Sequence, residues 1–257
     1  MKPSDQWIAF QTIVTKEIRR FTRIWTQTLI PPVMTMVLYF VIFGSLIGRR
    51  IGSMEGFDYI TFVAPGLIMM SVLTNTYSNV VSSFFGNKYS RCIEETLVSP
   101  TPNYIILIGY VVGGVSRGLM VGFLVSVTSL LFTDMPIHSL PVILITVILT
   151  AVLFALAGLV NGVFARNFDD VNIVPTFVLT PLTYLGGIFY SISLLPDSWQ
   201  LVSKFNPILY MVNAFRYGFL GISDIHVGAA LSMICLFIIA LAIYALYLLE
   251  NAKGLRS

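Results

Sequence analysis

Residues 175–221 read PTFVLTPLTYLGGIFYSISLLPDSWQLVSKFNPILYMVNAFRYGFLG, and this stretch decides the fold. It is strongly apolar, yet it contains four prolines together with an aspartate, a lysine and an arginine. A membrane-spanning helix of about 20 apolar residues cannot contain so many breaks. Irregular backbone lies at membrane depth only where protein covers it or where it lines a watery cavity. The stretch therefore predicts a helix followed by a re-entrant excursion over residues 191–224.

The residues inside the excursion predict a pair of short helices. Ser193 or Asp197 is suited to begin the first helix, and Asn206 followed by Pro207 ends it. Pro207 is suited to begin the second helix, because the first helical position needs no N–H donor. Gly218 and Gly221 are expected to loosen the exit from that second helix.

The composition identifies an integral membrane protein. Hydrophobic residues make up 56% of the 257 residues and charged residues only 11%, whereas soluble proteins average about 25% charged. Six charge-poor runs are each long enough to cross a bilayer, which predicts an all-α protein with six transmembrane helices in a single domain, 1–257. The fifth run is the least regular, since Pro175 and Pro181 kink it. The runs are Ile24 to Gly48, Tyr59 to Asn87, Thr96 to Thr133, Met135 to Ala165, Val171 to Pro196 and Ile225 to Leu249.

The distribution of lysine and arginine predicts the topology. If the amino terminus is cytoplasmic, six spans return the carboxyl terminus to the same side, and ten of the 15 basic residues lie inside. Cytoplasmic segments of membrane proteins are enriched in basic residues, so both termini are expected in the cytoplasm. The net charge of +3 follows from this topology and does not suggest a nucleic-acid partner. The inside set is Lys2, Lys16, Arg19, Arg20, Arg23, Lys88, Arg91, Arg166, Lys253 and Arg256, and the outside set is Arg49, Arg50, Lys204 and Arg216.

Residues 1–26 predict an amphipathic helix that lies in the membrane surface before the first span. Apolar side chains recur at spacings of three and four and form one stripe, and basic side chains project roughly opposite. Such a helix turns its basic side toward anionic headgroups and cytosol, so membrane lipid is an expected partner. The apolar stripe is Trp7, Phe10, Val14, Ile18, Phe21 and Trp25, and the basic set is Lys16, Arg19, Arg20 and Arg23.

Residues 84–104, between the second and third runs, predict a short helix within a loop. The sequence is FFGNKYSRCIEETLVSPTPNY, and Pro100 ends the helix. Arg91 and Glu95 lie four residues apart and are expected to pair. Judged by charge alone, this segment is a solvated loop helix.

The loop at 84–104 and the stretch at 175–221 resemble the ABC-2 type export permeases, the membrane half of one class of ATP-binding-cassette exporters. The matching pattern in the loop is an arginine followed by glutamates, a leucine and a Ser-Pro stop. The resemblance extends over nearly the whole chain and implies the type V exporter fold, with the interfacial helix, six spans and re-entrant pair described above. The residues that carry the loop pattern are Arg91, Glu94, Glu95, Leu97, Ser99 and Pro100.

The resemblance implies which residues contact a separate ATPase. The loop helix, with Arg91, Glu94, Glu95 and Leu97, is expected to be the main coupling helix. The turn with Phe168, Asp169 and Asp170 is expected to be a smaller coupling element. The two aspartates are equally suited to cap the fifth helix near its positive end. The interfacial helix is either a membrane anchor alone or a further contact to the ATPase.

Arg117 is the one charged residue deep within a span. Arginine at mid-bilayer costs a few kcal/mol on insertion scales, so it should face protein or water. Small residues at a spacing of four, Gly114, Gly118, Gly122 and Ser126, lie beside it and let helices approach closely. Arg117 is therefore a pathway candidate that contacts an anionic substrate group. Alternatively, it is a structural arginine satisfied by carbonyls or by Asn75, Asn79 or Asn161.

Span two carries further polar residues along one face, at Ser71, Asn75, Asn79 and Ser83. Polar residues in a span either join helices or line a path. Joining helices is the favoured interpretation here.

Missing motifs exclude several functions. No G-x-x-x-x-G-K-[ST] loop exists, so the chain is not an ATPase itself and binds no ATP, and it contains no hydrolase or metal-ligand signature. The resemblance implies two copies of this permease and two copies of an ATPase in the bacterial inner membrane, which move a lipid-linked, saccharide or hydrophobic substrate outward. The alternatives are a secondary transporter or a non-transport scaffold, of which the former would usually carry acidic residues inside its spans.

Overall fold

The computed structural model describes residues 2–251, apart from the side chain of Ser45, and shows a helical bundle with one small hairpin. Lys253 and Arg256, which the topology argument uses, lie outside the described residues. The bundle begins with α1 (Pro3–Arg23), which leads directly into the first span. The later helices are α5 (Tyr59–Tyr89), α6 (Cys92–Val98), α7 (Asn103–Ser129), α8 (Leu140–Phe164) and α13 (Val227–Glu250).

The first span is a helical run over Trp25–Ile51 that changes pitch along its length. Its middle winds as a wider π-helical turn at Val41–Ile47, a feature that is rare in helices and frequent at functional sites. A two-stranded antiparallel hairpin then connects it to α5. The α-helical parts of the run are α2 (Trp25–Thr28), α3 (Ile30–Phe40) and α4 (Gly48–Ile51), and the hairpin strands are β1 (Ser53–Met54) and β2 (Phe57–Asp58).

Five helices among the described residues are long and apolar enough to cross a membrane, which agrees with five of the six predicted runs. The predicted fifth span, Val171 to Pro196, is not one of them, and residues 168–185 form a shorter, broken run instead. The run ends because Gly187 leaves the helix with a positive φ of 70°. Its pieces are α9 (Phe168–Val174), a π-helical turn (Pro175–Leu179) and α10 (Thr180–Leu185); Pro175 begins the second piece and Pro181 is the second residue of the third.

Helix α5 is the central element of the bundle. Within its most apolar window 78% of the residues are buried, against 12% for the first span and 17% for α13. It packs against α7, α8 and the helix at 207–220. The first span and α13 therefore lie at the periphery, with apolar faces directed outward.

Small residues bring α7 onto α5, as the sequence predicted. A methyl group added at Gly118 would overlap Thr76, and one added at Gly122 would lie 2.6 Å from Val72. Such close approach strengthens dispersion contacts between helices that gain little from the hydrophobic effect in lipid. Gly114 makes the same kind of contact with Val80.

The segment after α10 forms an excursion whose two ends meet, and its second helix packs back into the bundle. The Ser191 hydroxyl donates to the Asp224 carboxylate at 2.7 Å, so the two ends of residues 191–224 touch. Between them lie α11 (Asp197–Lys204) and α12 (Pro207–Leu220). Asn206 caps α12 through its Oδ1, and its amide donates to the Leu182 carbonyl at 2.6 Å. The predicted start at Pro207 is confirmed, and α12 ends at Gly221, which has a left-handed φ of 73°. Gly218 does not loosen the exit, because it lies buried within α12.

Arg216 fixes α12 inside the bundle. Its side chain is only 1% exposed, and Nη2 donates to the Gly187 carbonyl at 2.6 Å. The guanidinium also lies 3.9 Å from the centre of the Phe62 ring, a cation–π contact with α5. Arg216 thus joins α12 to the end of α10 and to α5.

The close approach of α5 and α7 makes Gly118→Ala destabilising. The added methyl group would force α7 away from Thr76, and overpacking of this kind costs about 1–3 kcal/mol. Gly86→Ala is the matched control, because no atom lies within 4 Å of the added methyl group. That control should be neutral or stabilising by up to about 1 kcal/mol through helix propensity. Melting temperatures in detergent check both variants, and an unchanged value for Gly118→Ala would contradict the close approach.

Candidate functional site

Helix α6 lies on the surface at one end of the bundle, which we term the α6 end. Ile93 is buried and attaches α6 to the core, while Glu94 and Glu95 are exposed. Val98 is 87% exposed, the largest exposed fraction among the large hydrophobic side chains that the structure describes. Leu97 is partly buried and packs on the core, so Val98 supplies most of the apolar surface of α6.

The predicted pair between Arg91 and Glu95 does not form. Arg91 precedes the first residue of α6 and adopts a left-handed backbone with a φ of 60°. A residue outside the helix does not share the face of a residue four positions later, so the expected spacing does not apply. Arg91, Glu94 and Glu95 are all exposed, and within residues 2–251 the only ion pair joins Glu17 and Arg20.

The turn before α9 lies beside the end of α5. The ring of Phe168 is 60% exposed and packs 5.0 Å from both the Phe85 and the Tyr89 rings. Asn167 caps α9 by accepting from the Asp170 N–H at 2.8 Å, and the Asp170 carboxylate accepts from the Arg166 N–H at 2.8 Å. Asp170 therefore has a local structural role, while Asp169 is exposed.

Lys88 ties this end of α5 to α8, a contact that the sequence analysis did not identify. Its ammonium group donates to the carbonyls of Val163 and Ala165 at 2.6 and 2.8 Å. These carbonyls lie at the carboxyl end of α8, where backbone acceptors lack helical partners and a positive charge is favourable. The α6 helix, the Phe168 turn and α8 are thus fixed to one another around the end of α5.

Four polar side chains at a spacing of four residues form a polar ladder along α5: Asn75, Asn79, Ser83 and Asn87. Residues at this spacing lie above one another on one face of a helix. Each rung has a partner on α1 or α7. Asn75 accepts from Arg117, Asn79 from Arg20 and Asn87 from Lys16, and Ser83 donates to Glu17. The interpretation that polar residues of the second span join helices is confirmed for Asn75, Asn79 and Ser83. Asn87 extends the predicted set, and the Ser71 hydroxyl is not part of the ladder.

The middle of the ladder holds a carboxylate that is 1% exposed, Glu17. It accepts from the Ser83 hydroxyl at 2.7 Å and lies 3.4 Å from Nε of Arg20. Glu17 was not identified from the sequence, although its position between Ile13 and Phe21 on one helical face was a usable signal. A glycine at 113 makes room for it, since a methyl group there would overlap the Glu17 side chain.

The basic face predicted for α1 needs one correction. Lys16, Arg19 and Arg23 are exposed as expected, but Arg20 turns inward and is only 31% exposed. Its Nη2 donates to both the backbone and the side-chain oxygen of Asn79 at 2.8 Å. The buried Glu17 carboxylate supplies the reason, because a buried charge needs an opposite charge beside it.

Arg117 faces a groove between the first span, α5 and α7. Its Nη2 donates to Asn75 at 3.2 Å, while its buried Nε has no hydrogen-bond partner. The groove has a volume of about 310 Å³. A second cavity of about 200 Å³ lies between α5 and the run at 168–185, and Met70 and Thr74 line both. The structure thus gives Arg117 one of the partners expected for a structural arginine and leaves part of its donor capacity free.

Known proteins resemble this chain over most of its length. Residues 8–220 match the family described as ABC-2 type transporter. The chain is 58% identical over 251 residues to "Inner membrane transport permease YadH" of Escherichia coli (strain K12), and the match covers 98% of each chain. It is 24% identical over 204 residues to "Nodulation protein J" of Rhizobium meliloti (strain 1021), covering 77% of this chain and 76% of that protein.

The buried charge on α1 makes Glu17→Ala strongly destabilising. The substitution leaves Arg20 and Ser83 without a partner, and loss of a buried charged contact costs about 3 kcal/mol. Glu94→Ala, an exposed glutamate on α6, is the stability control and should change the melting temperature little. In the double variant with Ser83→Ala the two effects should be non-additive by about 0.5–3 kcal/mol. Additive losses would show that the two side chains do not interact.

Proposed function

We propose that this chain, which belongs to the ABC-2 type transporter family, is the transmembrane permease subunit of an ATP-binding-cassette exporter. A separate partner subunit hydrolyses ATP, and this chain binds no cofactor of its own. The inner-membrane name of the Escherichia coli relative supports the bacterial inner membrane as its location. Both termini lie in the cytoplasm, in keeping with the distribution of basic residues.

The surface at the α6 end is the observation that carries the proposal. Exposed carboxylates at Glu94 and Glu95 lie on the same short helix as the exposed Val98. The half-exposed Phe168 ring is fixed to α5 through Phe85. Protein interfaces combine an apolar core with a polar rim, and Val98, Phe168 and the two carboxylates supply both kinds of group. We assign this surface, with Asp169, to the contact with the ATPase.

We propose that the chain crosses the membrane six times and carries a re-entrant pair. The run at 168–185 extends from the α6 end to the end of the bundle that carries the β1–β2 hairpin. There the Tyr59 hydroxyl donates to the Phe189 carbonyl at 3.1 Å. Residues 191–224 then depart and return at one point, held by Ser191 and Asp224. We assign the fifth crossing to the broken run and the outer-leaflet excursion to α11 and α12.

The transported molecule is lipid-linked, saccharide or hydrophobic, and it moves outward through a dimer. The cavities lined by α5 that hold Arg117 and that adjoin the run at 168–185 measure about 310 and 200 Å³, and a larger cavity that α5 lines, at Ile68, measures about 520 Å³, all of which are small for a pathway that carries a lipid-like molecule. A second copy placed by two-fold symmetry would enlarge this space. Two permease copies with two ATPase copies therefore form the exporter.

A charge reversal at Glu95 tests the function. Glu95→Lys should leave the protein folded but weaken its association with the ATPase at least about tenfold, because a reversed charge opposes a complementary surface. Asp134→Lys is the matched control, since it reverses an exposed carboxylate in the loop at the opposite end. Co-purification with the ATPase and the rate of ATP hydrolysis are the measurements. Wild-type values of both for Glu95→Lys would remove the support for the coupling surface.

The re-entrant excursion predicts which side of the membrane exposes α11. A single cysteine replacing the exposed Ser198, in a protein without Cys92 and Cys235, should react with an impermeant thiol reagent added outside the cell. A cysteine replacing the exposed Ser90 should react only after permeabilisation. Labelling of Ser198→Cys from the cytoplasm alone would instead make the excursion a true crossing.

A further inference from the structure

The groove that holds Arg117 combines a cation with uncharged hydrogen-bonding groups and an apolar wall. Asn75 and Thr74 of α5 and Gln27 and Thr35 of the first span contribute its amides and hydroxyls. Met36 and Met70 belong to the apolar part. A molecule that fills this groove needs both a polar group and a hydrocarbon portion.

The charge in the groove is entirely positive. Arg117 is its only charged lining residue, and no carboxylate lines it. The next cation along the ladder, Arg20, lies on the neighbouring rung and is balanced by Glu17 at 3.4 Å. Glu17 bonds to Arg20 and Ser83, so it is not a counter-ion for Arg117. Among the described residues Arg117 therefore keeps an uncompensated charge.

Arg117 also retains hydrogen-bonding capacity. A guanidinium has five N–H donors, of which one reaches Asn75 at 3.2 Å, and the buried Nε has no partner. The helical rise of 1.5 Å per residue places Arg117 roughly 20 Å along α7 from Asn103, near the middle of a bilayer. An uncompensated arginine at this depth is energetically unfavourable. Bidentate binding of a phosphate or carboxylate would offset that cost.

We propose that this groove binds the anionic group of a phosphate-bearing amphiphile, with Arg117 as its counter-ion and Asn75 holding the guanidinium in place. The hydrocarbon portion lies against Met36 and Met70 and leaves the groove toward the lipid. The inference rests on the proposed function insofar as the amphiphile is the transported molecule. A resident membrane lipid with the same headgroup chemistry is the other source of the ligand.

Binding of phosphatidic acid to the purified chain in neutral detergent tests the proposal. Native mass spectrometry should show preference for phosphatidic acid over phosphatidylcholine with the same acyl chains. Arg117→Gln should weaken phosphatidic acid binding about tenfold or more, as expected from loss of a charged hydrogen bond. Arg117→Lys should restore part of the affinity, and Arg50→Gln, which removes an exposed arginine elsewhere, should leave it unchanged. Equal binding by wild type and Arg117→Gln, with unchanged melting temperatures, would overturn the proposal.

A second measurement, of ATP hydrolysis by the assembled transporter, separates this inference from the proposed function and identifies the source of the ligand. The binding assay contains no ATPase, so Arg117-dependent binding stands even if the chain were found to associate with no ATPase. In the assembled transporter, stimulation of ATP hydrolysis by phosphatidic acid that is lost in Arg117→Gln would support a transported amphiphile. Arg117-dependent binding without stimulation would support a resident lipid in the same groove.

Discussion

The polar ladder along α5 is the interaction on which the rest of the structure depends. Asn75, Asn79, Ser83 and Asn87 each bond to a side chain of α1 or α7. Lipid offers helices little hydrophobic reason to associate, so hydrogen bonds and close contacts determine which faces meet. The small residues of α7 complete this arrangement by letting the backbones of α5 and α7 approach. The ladder adds polar contacts between α1 and α5 to the packing of α1 on α7.

Helix α5, which carries the ladder, also connects the α6 end with the groove that holds Arg117. Helix α6 follows directly on α5, and Lys88 and the Phe168 ring fix the same end of α5 to α8 and α9. The rung at Asn75 lies in the groove beside Arg117, so α5 extends from the α6 end to the groove.

The sequence alone predicts much of this fold because lipid imposes simple rules. Charge-poor runs locate five spanning helices, Pro207 locates the start of α12, and the glycine stripe identifies the face of α7 that meets α5. The sequence also named Asn75 as a possible partner of Arg117. These successes share a cause: each depends on local backbone chemistry or on the spacing of residues within one helix.

The incorrect or missing predictions concern side chains whose contacts depend on how the helices pack in three dimensions. Arg20 belongs to a basic face by spacing, yet it turns inward because Glu17 is buried beside it. Arg91 has the spacing to pair with Glu95, but its left-handed backbone places it before the helix. Lys88 meets carbonyls 75 and 77 residues away, and no periodicity reveals such a contact. The prolines of the fifth run indicate a break, but not the π-helical turn that accommodates it.

The composition of the native complex tests the central claim most directly. The chain would be purified from its own membrane in mild detergent, and the intact complex would be weighed by native mass spectrometry and assayed for ATP hydrolysis. The account predicts two copies of this chain with two copies of an ATP-hydrolysing subunit. A particle with a single copy of this chain and no ATP-hydrolysing subunit would contradict it.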